Sequence, residues 1–186
     1  EEPTIAEKAE MAIRHLKMAI DWKGEVLGVL ETRRHYGNYF KGIANFKETK
    51  STKCCGKCPF KKGLPATEET LGHSDPLVYI GQTRGPFWLP CHEDKNYNGK
   101  GSNPETVSQC RGAAKFRANC DVPYELPKEL LSLDKDTDTV YANEREFLEH
   151  YSDLNEKELD NATSQDFLDA MMQYEISKKS DTKRYI

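Results

Sequence analysis

The sequence predicts an α+β fold in three parts: an N-terminal helical hairpin, a small metal-stabilised module with a β-hairpin and a helix, and C-terminal helices. Three observations support this fold class. Apolar residues recur at helical spacing near both ends of the chain, two short runs of β-type residues flank a glycine-containing loop, and six cysteines lie in the middle part. We place the three parts at residues 1–50, 51–125 and 126–186.

The composition indicates a small hydrophobic core and a large polar surface. Of the 186 residues 37% are hydrophobic, and the mean hydropathy is -0.81. A metal ion would supply folding free energy that such a core lacks. The chain has no run of about 20 apolar residues and no secretory leader, so we expect a cytoplasmic protein with reduced cysteines. Because the first residue is Glu1, we expect that processing removed an earlier segment or that the chain is a piece of a longer protein.

The first part is predicted to be a helical hairpin. Residues 4–23 show helical periodicity with Thr4 and Glu7 as a capping box, and Gly24 ends the helix. Residues 25–41 fit a second helix. Two helices cannot bury both apolar faces by themselves, so we expect the hairpin to pack on the rest of the chain or on a partner.

The middle part is predicted to begin with two short strands. Residues 77–80 and 87–89 are β-type runs, and residues 81–86 form a turn-rich loop between them, which is typical of a β-hairpin. The second strand would deliver Cys91 and His92 at its end.

A helix is predicted to follow at about residues 103–119, because Asn and Pro are frequent at helix starts. On this helix Cys110 and Ala114 share one face, so Cys110 would point toward the first cysteines. Cys120 lies off that face and is the weaker candidate ligand.

The last part is predicted to contain three helices. The first spans about residues 128–133 and is followed by an acidic connector. The second spans about residues 144–154, with Asn143 and Glu146 as a capping box, and the third spans about residues 165–177. The third helix has Ser164 as its cap and an apolar stripe of Phe167, Leu168, Met171 and Tyr174.

The cysteine pattern is the most chemically specific feature of the chain. Cys55 and Cys58 form a C-x-x-C knuckle, whose two thiolates can chelate one ion with little backbone strain. Cys91 with either His92 or Cys110 would complete a tetrahedral zinc site. The spacing therefore predicts bound zinc.

Two alternatives to zinc stay open. Four thiolates also suit a [4Fe-4S] cluster, and that set would be Cys55, Cys58, Cys91 and Cys110. The other alternative is that the cysteines are buried or disulfide-paired without a metal. A nucleophile and base pair of Cys91 with His92 is disfavoured, because neighbours in a strand point to opposite faces. Cys54 is interpreted as a bystander.

The charge distribution favours contact between the first two-thirds of the chain and an anionic partner. Residues 51–120 hold ten basic and six acidic residues, whereas residues 121–186 hold eight basic and seventeen acidic ones. Basic residues beside an aromatic near a metal knuckle are typical of single-stranded nucleic-acid binding. Around Phe60 these are Lys53, Lys57, Lys61 and Lys62. The alternative is that they are ordinary surface lysines.

A family signature lies in residues 14–42, which read RHLKMAIDWKGEVLGVLETRRHYGNYFKG. This stretch closely resembles the start of the C-terminal helical domain of bacterial tRNA-dihydrouridine synthases, and the resemblance covers about residues 3–48. In that family the domain grips tRNA, while a separate TIM barrel holds FMN and the catalytic cysteine. The resemblance implies RNA-backbone contacts by Arg33, Arg34, His35 and Lys41. The barrel is absent, so we expect no uridine reduction by this chain alone.

Residues 54–120 resemble a second, poorly characterised family of small bacterial and phage proteins. The shared motifs are Cys58-Pro59-Phe60, Cys91-His92 and Cys110-Arg111-Gly112. The resemblance implies a ligand set without naming a reaction. Because the two resemblances are unrelated, one alternative is that residues 1–50 are a fusion partner.

These observations predict a non-enzymatic, metal-stabilised binding module that contacts RNA of the tRNA type through its basic surface. One alternative is a zinc-dependent or iron-sulfur enzyme acting on nucleic acid, or a thiol-redox protein. Another is a protein whose hairpin docks a partner chain.

Overall fold

The computed structural model describes residues 54–72, 74–85, 87–122 and 135–181. This part of the chain is helical, and its only β-type pairs are two isolated antiparallel bridges, Lys61 with Val140 and Pro90 with Gln109. In chain order the helices are α1 Glu68–Leu71, α2 Pro76–Arg84, a 3-10 turn at Gly99–Gly101, α3 Arg111–Asn119, α4 Glu144–Tyr151, α5 Glu156–Ala162 and α6 Gln165–Asp181. The predicted α+β class with a β-hairpin is therefore wrong.

The error arises at helix α2, where residues 77–80 were predicted to be a strand. Asp75 caps this helix by accepting a hydrogen bond from the Leu77 backbone N–H at 2.9 Å, and Pro76 occupies the first turn. Both residues are strong helix-start signals. They outweigh the β preference of the run that follows, and the helix continues through the predicted loop to Arg84.

Helix α3 begins later than the sequence predicted. The Asn103 side chain accepts a hydrogen bond from the Glu105 backbone N–H at 2.9 Å, but this cap starts only a turn. The helix itself begins at Arg111, and Cys110 occupies its N-cap position. Cys110 therefore stands at the start of the helix rather than on its face.

The C-terminal helices follow their predicted caps more closely. The Asn143 side chain accepts a hydrogen bond from the Glu146 N–H, whereas the Glu146 carboxylate accepts from Ala142. Helix α4 ends at Tyr151 rather than at about residue 154. Helix α5 was not predicted, although Asn155 and Glu158 form a complete capping box there.

An aromatic core joins the two ends of the described chain. Phe60 is 1% exposed, and its ring lies 5.1 Å from the Phe116 ring and 5.6 Å from the Phe147 ring. Helix α2 packs against α3, α4 and α6 around this core. Backbone hydrogen bonds also join the two ends, since the Tyr141 N–H donates to the Phe60 carbonyl and the Lys62 N–H donates to the Thr139 carbonyl.

Arg117 fastens the segment that leads to Cys91. This side chain is buried, and its guanidinium donates to the backbone carbonyls of Thr83, Gly85 and Phe87 at 2.8 to 3.1 Å. These carbonyls lie at the end of α2 and just beyond it. One buried cation thus holds the chain between α2 and the cysteine loop against helix α3.

Three predicted helices, at residues 4–23, 25–41 and 128–133, lie outside the described residues and stay predictions. The same holds for the helical hairpin that resembles the synthase domain. In the part of the chain that the structure covers, no helix has the length and apolar character needed to span a bilayer.

Candidate metal centre

Four cysteines meet at one place between the knuckle and helix α3. The Sγ atoms of Cys58 and Cys110 lie 3.9 Å apart, and these residues are 1% and 9% exposed. Cys54 and Cys55 are half-buried, and both interact with the Cys58 thiol strongly enough to shift their pKa values. We call Cys54, Cys55, Cys58 and Cys110 the thiol cluster.

Local backbone structure places these thiols. The Cys58 N–H donates to the Cys55 carbonyl at 3.3 Å, and the Lys61 N–H donates to the Cys58 carbonyl at 3.0 Å, so the knuckle is two tight turns in succession. On the other side, the Cys110 N–H donates to the Leu89 carbonyl at 2.6 Å. A bond between chain segments therefore fixes Cys110 before the helix begins.

Gly112 makes the approach of Cys58 possible. A Cβ atom built on Gly112 would lie 2.0 Å from the Cys58 Sγ and 3.5 Å from the Cys58 Cβ. No side chain other than hydrogen fits at that distance, so the sulfur occupies the space that any larger residue would take. This geometry gives a physical reason for the Cys110-Arg111-Gly112 motif.

The four thiols of the cluster differ in pKa. Hydrogen bonding with Cys58 lowers the pKa of Cys54 and of Cys55 to about 7. The hydrogen bond with Cys110 raises the pKa of Cys58 well above its usual value, and the interactions with Cys54 and Cys55 raise it as well. The pKa of Cys110 is lowered, first by its hydrogen bond with Cys58 and also by the backbone N–H groups of Ala113 and Gly112. Of the four thiols, Cys58 therefore holds its proton most tightly.

Cys91 lies near the thiol cluster, whereas His92 faces away from it. Burial first, and then the nearby charge of Cys110, raise the pKa of Cys91 to about 11. The His92 side chain is on the surface, and its ring packs against Tyr97 with 4.8 Å between the ring centres. Of the two residues, Cys91 is the one that interacts with the charges of the thiol cluster.

The thiol cluster is not a complete coordination sphere as it stands. Within residues 54–72, 74–85, 87–122 and 135–181, no group of three or more Cys, His, Asp or Glu side chains is arranged to hold a metal ion. The Cys58 to Cys110 separation of 3.9 Å nevertheless fits two ligands of one ion. With zinc–sulfur bonds of about 2.3 Å, the edge of a tetrahedron of sulfurs is about 3.8 Å.

The basic residues predicted to bind RNA differ in their exposure and in their ion pairing. Lys57 is exposed at the tip of the knuckle, and Lys61 is half-exposed. Lys62 forms an ion pair with Glu146 at 2.6 Å, so part of its charge is already neutralised. The positions taken from the synthase resemblance, Arg33, Arg34, His35 and Lys41, lie outside the described residues.

Two features of the site were missed from the sequence. Cys54 belongs to the thiol cluster, and its position next to Cys55 was the available signal. Arg111 is the second, because its half-buried guanidinium lies close enough to Cys54 and Cys91 to interact with their charges. Cys120 is separate, since burial and the nearby charge of Glu144 raise its pKa and no thiol of the cluster contributes to the shift.

Comparison with known proteins adds no relative to this picture. No family model, no curated protein and no solved structure matches the chain. The two resemblances therefore remain predictions, and the function has to be argued from the thiol cluster and its surroundings.

Proposed function

We propose that the chain is a non-enzymatic, metal-stabilised binding module in which cysteine thiolates hold one zinc ion. The distance of 3.9 Å between the buried Cys58 and Cys110 sulfurs supports this proposal, because it matches the spacing of two thiolate ligands on one tetrahedral ion. Gly112 also supports the proposal, since the absence of a Cβ atom there lets the Cys58 sulfur approach the start of α3. Cys55, Cys58 and Cys110 are three of the ligands, and Cys91 or Cys54 is the fourth.

Zinc is favoured over an iron-sulfur cluster by the same distance. In a [4Fe-4S] cluster each thiolate binds a different iron at a different corner, which keeps the sulfurs farther apart than ligands of one ion. Zinc also suits the surroundings, because the knuckle and the loop before α3 contain turns rather than regular structure. An ion bound there would hold the two segments together. A reducing compartment such as the cytoplasm belongs to the proposal, because oxidised cysteines cannot bind zinc.

Zinc analysis of purified variants tests the metal proposal. We expect about one zinc per chain in the reduced wild type, and loss of zinc in Cys58→Ser and Cys110→Ser. Cys120→Ser is the matched control, because Cys120 is a partly buried cysteine outside the thiol cluster. Brown, iron-containing protein would instead favour the [4Fe-4S] alternative. A metal-free wild type would reject the proposal.

RNA is the proposed partner of this module. Support comes from the exposed Lys57 beside the knuckle and from the synthase resemblance of residues 3–48. We expect salt-sensitive binding of tRNA that weakens in Lys57→Glu and in the double variant Arg33→Glu, Arg34→Glu, because each reversal removes a phosphate contact. Lys135→Glu is a control on the acidic side of the chain, where Lys135 already pairs with Asp121. Binding that is unchanged by these reversals would reject RNA contact.

A further inference from the structure

The thiol cluster combines two buried sulfurs with two accessible ones. Cys58 and Cys110 lie in the core at 3.9 Å, whereas Cys54 and Cys55 are half-exposed next to Cys58. All six cysteines are free thiols. This arrangement offers an outer sulfur that a small molecule can reach and an inner pair that can bond to each other.

We propose that the thiol cluster is also a thiol–disulfide exchange site for small disulfides of the glutathione class, and that Cys58 and Cys110 form the product disulfide. This inference rests on the proposed function only because the same cysteine sulfurs take part in both. When the inner pair is oxidised, the ion loses two ligands and leaves. The site then senses the thiol–disulfide balance of its compartment.

The exchange balances in three steps. The Cys55 thiolate attacks the small disulfide, forms a mixed disulfide and releases one small thiolate. Cys58 then attacks the Cys55 sulfur while its proton passes to the departing small thiolate, which leaves as the second small thiol and gives a Cys55–Cys58 bond. Finally Cys110 attacks the Cys58 sulfur and regenerates the Cys55 thiol. Overall, one small disulfide becomes two small thiols while two cysteine thiols become one disulfide.

Geometry supports the last step. The Cys58 and Cys110 sulfurs have to approach each other by about 2 Å to reach bonding distance. Cys58 has little room to retreat, because its sulfur already fills the space over Gly112. Cys110 stands at the N-cap position of α3, and its sulfur is already within hydrogen-bond distance of the Cys58 sulfur that it attacks. The product disulfide is then buried, away from further exchange.

The test uses the full chain, loaded with zinc and reduced, in glutathione buffers of increasing oxidised fraction. Samples are quenched with acid and alkylated, disulfides are mapped by peptide mass spectrometry, and zinc release is followed with a coloured chelator. We expect a Cys58–Cys110 disulfide and loss of one zinc for each disulfide formed, both reversed by excess reduced glutathione. Free thiols at every ratio, or a final Cys55–Cys58 bond in the wild type, would overturn the inference.

Variants separate the steps and the two proposals. We expect Cys110→Ser to stop at the Cys55–Cys58 bond, Cys55→Ser to slow oxidation several-fold, and Cys120→Ser to behave as the wild type. A chain that binds no zinc but forms the Cys58–Cys110 disulfide would reject the metal proposal and keep the exchange site. A chain that keeps its zinc and forms no disulfide would reject the exchange site and keep the metal proposal.

Discussion

Residues 54–122 and residues 135–181 differ in how they are held. In the second region most residues lie in α4, α5 and α6, and each helix has its own start signal in the neighbouring sequence. In the first region most residues lie outside helices, and the turns are joined by contacts from distant segments. Examples are the Gln109 side chain, which accepts from the Leu89 N–H, and the carbonyls bound by Arg117.

The structure of residues 135–181 follows mainly from local sequence, whereas that of residues 54–122 depends on contacts between distant segments, which we call cross-links. Surface ion pairs illustrate the first case, because Arg145 reaches Glu149, Glu156 and Asp160 in exposed positions that add little stability. The thiol cluster illustrates the second, because it joins residues 52 positions apart inside the core. Changes at the cross-links should therefore cost more than changes at the caps.

Truncation of Phe60 should have the largest effect, because its ring connects both regions. We expect Phe60→Ala to lower the free energy of unfolding by about 3–5 kcal/mol, measured by urea denaturation. Leu154→Ala is the comparison, since Leu154 is only partly buried against the same core. Equal costs for both variants would mean that the two regions do not depend on Phe60.

Gly112→Ala should disturb the thiol cluster directly. The added methyl would overlap the Cys58 Sγ, so we expect a loss of about 1–3 kcal/mol and weaker zinc binding. Gly56→Ala is the matched control in the same knuckle, because a Cβ there meets nothing within 4 Å. Zinc affinity and unfolding free energy can be measured on both proteins. If the two variants behave alike, the packing of Cys58 on Gly112 is unimportant.

Tyr79 should make stability depend on pH in the alkaline range. Its hydroxyl donates to the Leu71 carbonyl at 2.8 Å, and burial raises the pKa of Tyr79 to about 12 from 10.0. The unfolded chain therefore loses this proton first, and the free energy of unfolding should fall as the pH rises from about 10 to about 12. Tyr79→Phe should cost about 1 kcal/mol at neutral pH and remove part of that decline. Parallel curves for the two proteins would contradict this assignment.

Loss of a local cap should have the smallest effect. We expect Asn155→Ala to cost about 1 kcal/mol, because the Asn155 side chain accepts a hydrogen bond from the Glu158 N–H at 3.1 Å. Asn161→Ala, an exposed position of the same helix, should change stability by less than about 0.5 kcal/mol. Thermal unfolding of both variants measures the difference, and a cost above that of Gly112→Ala would reverse the ranking of the two regions.

The same contrast explains what the sequence predicted. The start of α6 after Ser164 and of α4 after Asn143 followed from caps, which are encoded within a few residues. Helix α2 was mistaken for a strand because its apolar residues were weighed above the Asp75-Pro76 start signal. The start of α2 was therefore encoded locally as well, and the error lay in the weight given to its β-type apolar run.

The thiol cluster was predicted in part. The C-x-x-C spacing identified Cys55 and Cys58, and Cys110 was expected to point toward them, as it does in the structure. The reason given was wrong, because Cys110 reaches Cys58 from an N-cap and over a glycine rather than from a helix face. Cys54 was missed although its interaction with Cys58 is local, and the packing of the His92 ring on Tyr97 could not be read from the cysteine spacing.

Hydrogen exchange before and after removal of zinc tests the central claim most directly. Amides at residues 55–62 and 107–114 should lose protection when a chelator removes the ion under reducing conditions, while amides in α6 change much less. Restored protection on adding zinc back would complete the expected result. Unchanged exchange around the cysteines, or an equal loss in α6, would contradict the claim that an ion bound by the thiol cluster holds the first region together.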